Sequence, residues 1–163
     1  FDIRIDHPGQ RLCVPLYSYT GRLLGLQGRS YAGSDLRYKL YKYQGKCNKH
    51  IWGGALRCNL DNPVIITEGL FDAMRIAEVY RNVLFSLTSS VTDKQLRKLV
   101  DAEVVITYYD FGTGGDHARD KIDEFFSGKD VLVQHIVPAE DYGDAGASPV
   151  EEVASNLGQY INC

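Results

Sequence analysis

Two short apolar runs, each followed by a carboxylate near glycine, constrain the fold of this chain more than any other feature. Residues 64–67 lead into Glu68 and Gly69, and residues 104–109 lead into Asp110. Both runs are rich in β-branched residues and lack polar alternation, which is typical of strands buried on both faces of a parallel sheet. Ligands collect at the carboxyl ends of such strands, so Glu68 and Asp110 are predicted to lie side by side. Two carboxylates in one cleft repel each other, which predicts a cation between them.

From Pro63 onward, strand-like and helix-like patterns alternate. Apolar residues at positions 70, 73, 74 and 77 share one face of a helix. Thr92 and Gln95 form a capping-box signature that opens a helix over 92–101, and Ser148 is predicted to cap a last helix. Further strands are predicted at 83–87 and 131–137, with a helix over 115–126. Four strands alternating with four helices predict a parallel sheet built of βαβ units.

A third acidic loop, residues 140–144, follows the last predicted strand and contains Asp141 and Asp144. Hard cations such as magnesium take oxygen ligands, usually one or two carboxylates together with water and substrate phosphates. Metal ions in such sites stabilise the attacking and leaving oxygens of phosphoryl transfer. Three acidic loops at successive strand ends therefore indicate a divalent-metal site.

Charge divides the chain into two unlike parts. Residues 1–62 carry ten Lys/Arg and four Asp/Glu, whereas residues 63–163 carry eight Lys/Arg and seventeen Asp/Glu. A basic part attracts a polyanion, and an acidic part favours divalent cations. Chance scatter of solvated charge remains the alternative. The basic part is predicted to begin with a β-hairpin, in which residues 11–17 and 22–29 flank the turn at 18–21.

Cations and aromatic rings interleave over residues 31–44, where three cations alternate with three tyrosines: Arg37, Tyr38, Lys39, Tyr41, Lys42 and Tyr43. This pattern suits a single nucleic-acid strand, because the charges follow phosphates and the rings stack on bases. An exposed β-ribbon whose tyrosines pack on their own neighbours explains the pattern equally well, and the sequence leaves both interpretations open.

Composition excludes several other classes of protein. No run is long and apolar enough for a membrane span, and no signal-peptide pattern is present. The four cysteines lack C-x-x-C spacing and are expected to be free thiols. The tripeptide Asp110-Phe111-Gly112 matches the kinase D-F-G, but the other kinase motifs are missing.

Residues 67–73 resemble the E-G-x-x-D signature of Toprim domains, which occur in DnaG-type primases, topoisomerases, and some nucleases and recombination proteins. Residues 110–118 are similar to the family's D-x-D-x-x-G-x-x-A loop, with Asp110, Gly115 and Ala118 in place. Asp141 and Asp144, followed by two glutamates at 151–152, resemble the third acidic motif of primases. Residues 11–29 resemble the primase segment R-x-x-F-P-I-x-D-x-x-G-x-x-x-G-F-x-G-R. The chain is thus identified as resembling the RNA-polymerase domain of a bacterial or phage DnaG-type primase.

The resemblance implies a fold, a function and a set of site residues. The fold is α/β: a Toprim domain over residues 63–163, with a parallel four-stranded sheet flanked by helices, preceded by a small basic, mainly-β lobe over residues 1–62. The function is synthesis of RNA primers from ribonucleoside triphosphates on single-stranded DNA, with Mg²⁺ or Mn²⁺ as cofactor. A replicative helicase and a zinc-binding module outside this chain are the further partners implied. The implied location is the cytoplasm of a bacterium, or of the host if the protein is phage-encoded. Glu68 and Asp110 are the implied catalytic residues. The metal ligands implied are Glu68, Asp110, Asp116, Asp141 and Asp144, and the nucleic-acid or nucleotide contacts are Arg11, Arg29, Arg37, Lys39 and Lys42.

One departure from the family pattern leaves the activity open. Gly112 occupies the position of the second Asp in D-x-D, and Asp116 supplies the missing oxygen only if the glycine loop folds back. If it does not, the domain is a Toprim nucleic-acid-binding module with weakened or lost catalysis. A Toprim nuclease is a third interpretation, which the primase-like first part argues against.

Overall fold

The computed structural model describes residues 2–33, 35–45, 47–88 and 90–161. These residues form two four-stranded sheets, one antiparallel and one parallel, with helices covering both faces of the second. The predicted α/β architecture is confirmed: a parallel four-stranded sheet flanked by helices, preceded by a small antiparallel lobe.

The antiparallel sheet is built from sequential strands in the order β1-β2-β3-β4. Its strands are β1 (Arg4–Asp6), β2 (Arg11–Tyr17), β3 (Leu23–Ser30) and β4 (Tyr38–Lys42). The predicted hairpin joins β2 and β3, and Arg11 pairs with Ser30 at its open end. Gly21 closes the turn with a φ of 81°, a conformation in which a residue with a Cβ is strained.

The parallel sheet has the order β6-β5-β7-β8. Its strands are β5 (Val64–Thr67), β6 (Val83–Phe85), β7 (Val104–Tyr108) and β8 (Leu132–Ile136). All four residues of β5 are buried, as are the last four of β7. The absence of polar alternation in these two runs is therefore explained by their central place in the sheet.

Four helices cover the parallel sheet: α1 (Leu70–Ala77), α2 (Asp93–Leu96), α3 (Thr113–Phe126) and α4 (Val150–Leu157). Successive residues of β5 point to opposite faces. Ile65 joins a core with α1, α4 and the β2 residues Val14 and Leu16. Ile66 joins a second core with α2 and α3, which also contains Trp52. The antiparallel sheet therefore packs on the α1/α4 side of the parallel sheet, while Trp52 packs on the other side.

Three helix boundaries differ from the sequence predictions. The helix predicted over 115–126 begins two residues earlier, at Thr113. The predicted helix over 92–101 is α-helical only for the four residues of α2, although Thr92 caps it through the expected capping box. The last helix has Pro149 at its N-cap, so the prediction of Ser148 as the cap is wrong. The Ser148 hydroxyl is buried and donates instead to the carbonyl of Asp144, at 2.9 Å. This bond fixes the third acidic loop against the start of α4.

Two predictions from composition concern the cysteines and the membrane. Cys13, Cys47 and Cys58 are free thiols, as expected, while Cys163 lies outside the described residues. None of the helices in the described part of the chain combines the length and apolar character that a membrane crossing requires.

Candidate metal centre and basic surface

Neighbouring strands of the parallel sheet bring the three acidic loops to one edge. Thr67, the last residue of β5, pairs with Tyr108, the last residue of β7. Glu68 and Asp110 follow these positions by one and two residues, so their loops emerge next to each other. The backbone N–H of Phe111 donates to the carbonyl of Gly143 at 2.7 Å, which ties the second loop to the third.

Asp72 is a fourth acidic residue at this edge. Its Oδ2 accepts a hydrogen bond from the N–H of Gly69, and its Oδ1 accepts one from the N–H of Gly146, both at 3.0 Å. One buried carboxylate thus bridges the first and third acidic loops. Sequence reasoning did not select Asp72 as a site residue, although it is the final Asp of the E-G-x-x-D signature.

The four carboxylates of Glu68, Asp72, Asp110 and Asp144 form an acidic cluster. Burial, followed by the charges of Asp72, Glu68 and Asp144, raises the pKa of Asp110 to about 7. Burial and the charges of Asp72 and Asp144 also raise the pKa of Glu68. For Asp72 the pKa is raised by burial and by Asp144, against the lowering effect of its two loop hydrogen bonds. Like charges held together in a partly buried site disfavour ionisation unless a cation compensates them.

One buried oxygen of the acidic cluster accepts no hydrogen bond from the described residues. That oxygen is the Oδ1 atom of Asp110. No three Asp, Glu, His or Cys side chains among the described residues already converge as a complete metal site. A donor set of this kind fits Mg²⁺ or Mn²⁺ better than a closed all-protein cage, because Mg²⁺ usually keeps several waters and binds through one or two carboxylates plus phosphates.

Two of the predicted metal ligands lie apart from the acidic cluster. The Oδ1 atom of Asp116 accepts a hydrogen bond from Arg119 at 2.7 Å, and its side chain is mostly exposed. Asp141 is exposed in the loop after β8. Neither is among the described groups that raise the pKa of Asp110. Their roles as ligands stay predictions.

Glycine residues shape the loop that carries Asp110. A Cβ on Gly115 would lie 1.9 Å from the carbonyl oxygen of Asp110, so the start of α3 approaches that backbone too closely for any side chain. Gly112 has a φ of 97° and a ψ of −174°, a region that is essentially restricted to glycine. Arg119 lies buried beneath the loop and donates to the carbonyls of Tyr109 and Asp110, at 3.2 and 3.4 Å.

The predicted nucleic-acid residues of the small lobe occupy two kinds of position. Arg37, Lys39 and Lys42 are exposed on and before β4. Arg11 is only 5 % exposed, and its Nη1 donates to the carbonyl of Arg37 at 3.4 Å. Arg11 therefore packs within the antiparallel sheet. The role of Arg11 in phosphate binding stays a prediction. Tyr41 donates to Asp6 at 2.6 Å, so this ring packs on its own neighbours.

Arg29 connects the small lobe to the acidic edge. Its guanidinium carbon lies 4.6 Å from the ring centre of Tyr38 and 5.3 Å from that of Phe71, the second residue of α1. It also hydrogen-bonds the Tyr38 hydroxyl. The cation is therefore held between β4 and α1, and its α1 contact, Phe71, is the residue immediately before Asp72.

A protein-family model described as Toprim-like matches residues 65–148, just over half of the chain. The chain belongs to the Toprim-like family. The matched residues include all four members of the acidic cluster. The family therefore accounts for the parallel sheet and the loops at its carboxyl edge, whereas the small lobe lies outside the matched region.

Solved structures resemble both parts of this Toprim-like chain. The Aquifex aeolicus primase, with its zinc-binding and RNA polymerase domains, superposes with a TM-score of 0.78 at 20% identity, covering 97% of this chain and 44% of that one. A DnaG primase catalytic domain bound to single-stranded DNA gives 0.71 at 21% identity, with 92% and 51% covered. The primase fragment of the bacteriophage T7 primase-helicase gives 0.72 at 15% identity, with 98% and 65% covered.

The chain thus spans about half the length of the first two of these structures. At such identities the likeness establishes the fold of both lobes. No curated protein sequence gives a significant match to the chain.

Proposed function

We propose that this chain is the catalytic core of a DnaG-type primase, which joins ribonucleoside triphosphates into short RNA primers on single-stranded DNA. The observation that carries the proposal is the acidic cluster at the edge of a Toprim sheet, with a buried Asp110 oxygen that lacks a partner among the described residues. The combination of this sheet with an antiparallel lobe, a fold shared with the primase structures, supports the same activity, as does the basic charge of residues 1–62.

Glu68 and Asp110 would hold Mg²⁺ or Mn²⁺, with Asp144 completing the protein ligands. When bound, the metal supplies positive charge that stabilises the oxygens of a phosphoryl transfer. Asp72 has both oxygens engaged by loop N–H groups, so it positions the first and third loops around the site. We propose that Glu68 also assists proton transfer, a role that its half-buried position and raised pKa support.

The small lobe would bind the template. Arg37, Lys39 and Lys42 present exposed positive charge along one strand and the segment before it. Arg29 lies between this surface and α1, where it can meet phosphates that approach the acidic cluster. We assign template contacts to residues 1–62 and metal-dependent chemistry to residues 63–163. A replicative helicase and a zinc-binding module are the further partners we propose, since one similar structure comes from a primase-helicase and another includes zinc-binding domains.

A primer-synthesis assay tests the proposal. The protein is incubated with single-stranded DNA of mixed sequence, labelled ribonucleoside triphosphates and Mg²⁺ or Mn²⁺, with a primase zinc-binding segment added in a parallel reaction. Wild-type protein should make metal-dependent oligoribonucleotides, and Asp110→Asn should make none. Asp120→Asn, an exposed change on the same side of the sheet, is the matched control and should be active. No product from wild-type protein with any template or metal would contradict the proposal, and cleavage of the supplied strand would instead identify a nuclease.

The glycine at position 112 favours a second candidate, a nucleic-acid-binding module without catalysis. The loop adopts a backbone conformation suited to glycine, and Asp116 pairs with Arg119 and does not turn toward the acidic cluster. A divalent-metal titration separates the two candidates. Metal binding that Glu68→Gln or Asp110→Asn abolishes supports the enzyme, whereas DNA binding that is indifferent to metal supports the module.

A further inference from the structure

Each acidic loop, or the first turn of the helix that follows it, carries a large aromatic side chain exposed to solvent. Phe71 is 39% exposed, Phe111 is 47% exposed and Tyr142 is 39% exposed. Among the five phenylalanines that the structure describes, Phe71 and Phe111 are the exposed ones, while Phe85 and Phe126 are buried and Phe125 is half-buried. The exposed phenylalanines are thus confined to the loops and helix start that carry the carboxylates.

Phenylalanine has no polar atom to gain from contact with water, so its exposure is unfavourable compared with burial. Single exposed apolar residues are common on protein surfaces and need no explanation. Here, however, an exposed ring occurs in or just after each of the three acidic loops: next to Asp72 at the start of α1, next to Asp110, and two residues before Asp144. Among the described residues from 63 to 161 these three are the exposed phenylalanine and tyrosine rings, and a ligand that binds at the acidic edge would meet all of them.

Two of these rings are brought together by the backbone. The Phe111 N–H donates to the carbonyl of Gly143, the residue that follows Tyr142, at 2.7 Å. Phe111 and Tyr142 therefore flank the junction of the second and third loops, between Asp110 and Asp144. Phe71 differs, because the Arg29 guanidinium lies against its ring. Phe111 and Tyr142 are the pair that remains open to a ligand.

We propose that Phe111 and Tyr142 form a stacking site for an unpaired nucleobase beside the acidic cluster. This inference rests on the proposed function, which brings a phosphate of the same nucleotide to the metal. A nucleobase is flat and uncharged, so its face can approach the rings without the repulsion that the carboxylates exert on an anion. Stacking on an aromatic ring is tolerant of base identity, because every base has a π face.

An equilibrium binding experiment tests this site without requiring synthesis. A single-stranded oligodeoxynucleotide containing 2-aminopurine, whose fluorescence falls on stacking, is titrated with the full chain in Mg²⁺. An abasic oligonucleotide of the same length and charge is titrated in parallel. Alanine substitution at a base-stacking ring costs about 1–3 kcal/mol per base, which converts to about 5-fold to 150-fold weaker binding.

Phe111→Ala and Tyr142→Ala should weaken binding of the base-containing strand within that range and restore the 2-aminopurine fluorescence. Both should bind the abasic strand as tightly as wild type does. Phe111→Tyr and Tyr142→Phe retain a ring and should retain binding. Leu132→Ala, which truncates an apolar side chain that is 55% exposed at the amino end of β8, away from the acidic edge, is the control and should leave binding of both strands unchanged.

A second arm identifies the source of the base. The same variants are titrated with the ribonucleoside triphosphate of 2-aminopurine, and a loss confined to that ligand assigns the site to the incoming nucleotide. A loss confined to the oligonucleotide assigns it to the strand. Equal weakening with the abasic strand, or no weakening with either base-containing ligand, would overturn the inference. If wild-type protein makes no primers but still discriminates bases through Phe111 and Tyr142, the proposed synthesis alone is refuted. If the variants bind bases as wild type does and make primers normally, this stacking site alone is refuted.

Discussion

Removing one charge from the acidic cluster should make the metal-free protein more stable. The perturbation is Asp110→Asn, which keeps the size of the side chain and replaces the carboxylate by a neutral amide. The pKa of Asp110 lies at about 7 in the fold, above its ordinary value of 3.8, because of burial and the charges of Asp72, Glu68 and Asp144. The folded state therefore binds this proton more tightly than the unfolded chain does, and ionisation of Asp110 opposes folding.

The magnitude follows from that rise in pKa. A rise from 3.8 to about 7 corresponds to about 4 kcal/mol without screening, since a tenfold change in proton affinity equals about 1.4 kcal/mol. Asp110 is half-exposed, and water screens a charge in that position, so we expect Asp110→Asn to raise the free energy of unfolding by about 1–2 kcal/mol at pH 8. The gain should be absent near pH 4, should develop as the pH rises to about 7, and should then stay constant.

Urea unfolding in EDTA, followed by tryptophan fluorescence or circular dichroism at several pH values, measures this gain. Asp120→Asn on α3 removes an exposed carboxylate and is the control, for which the change should be near zero. Addition of Mg²⁺ should stabilise the wild type by mass action and leave Asp110→Asn unaffected, which reverses the order of stability. Loss of stability in Asp110→Asn at pH 8 in EDTA, or a gain no larger than the control's, would refute the repulsion on which the metal site is inferred.

Three further results are expected. Gly115→Ala should destabilise the protein by about 1–3 kcal/mol and impair metal binding, because its Cβ would overlap the Asp110 carbonyl; urea unfolding and Mn²⁺ titration measure the two effects. Gly112→Asp, which restores the second Asp of D-x-D, has room for its side chain but should cost about 1–3 kcal/mol in backbone strain, and Gly112→Ala should cost a similar amount in the same unfolding assay. Arg37→Ala should reduce the salt dependence of single-stranded DNA binding by about one phosphate contact, whereas Lys98→Ala, an exposed change in the acidic part, should not; unchanged slopes for both would remove Arg37 from the binding surface.

Local sequence patterns predict the parallel sheet well, because a strand buried on both faces consists almost entirely of apolar and β-branched residues. The runs at 64–67 and 104–109 contain little but apolar and β-branched residues, and the structure makes them the two central strands. The position of Glu68 beside the Asp110 loop follows from that alone, since the carboxyl ends of adjacent parallel strands meet at one edge.

Contacts made by loop residues leave no such pattern in the composition. The structure differs from the sequence predictions at these contacts. Ser148 has the residue type of a helix cap, but its hydroxyl bonds to the carbonyl of Asp144. Asp72 reads as an ordinary acidic residue in the first turn of a helix, yet it bridges to Gly146, seventy-four residues away. Which aromatic rings stay exposed at the acidic edge also depends on tertiary packing, so the composition of the loops around Phe111 and Tyr142 does not predict it.

The position of a bound divalent ion tests the central claim most directly. Crystals of the chain soaked in Mn²⁺ would locate the ion by its anomalous scattering. If the acidic cluster is the metal site, the anomalous peak should lie about 2.0–2.2 Å from carboxylate oxygens of Asp110 and Glu68, the bonding distance of a hard cation of this size. Well-diffracting crystals that show no manganese at this edge of the sheet at millimolar concentration, or show it only elsewhere, would contradict it.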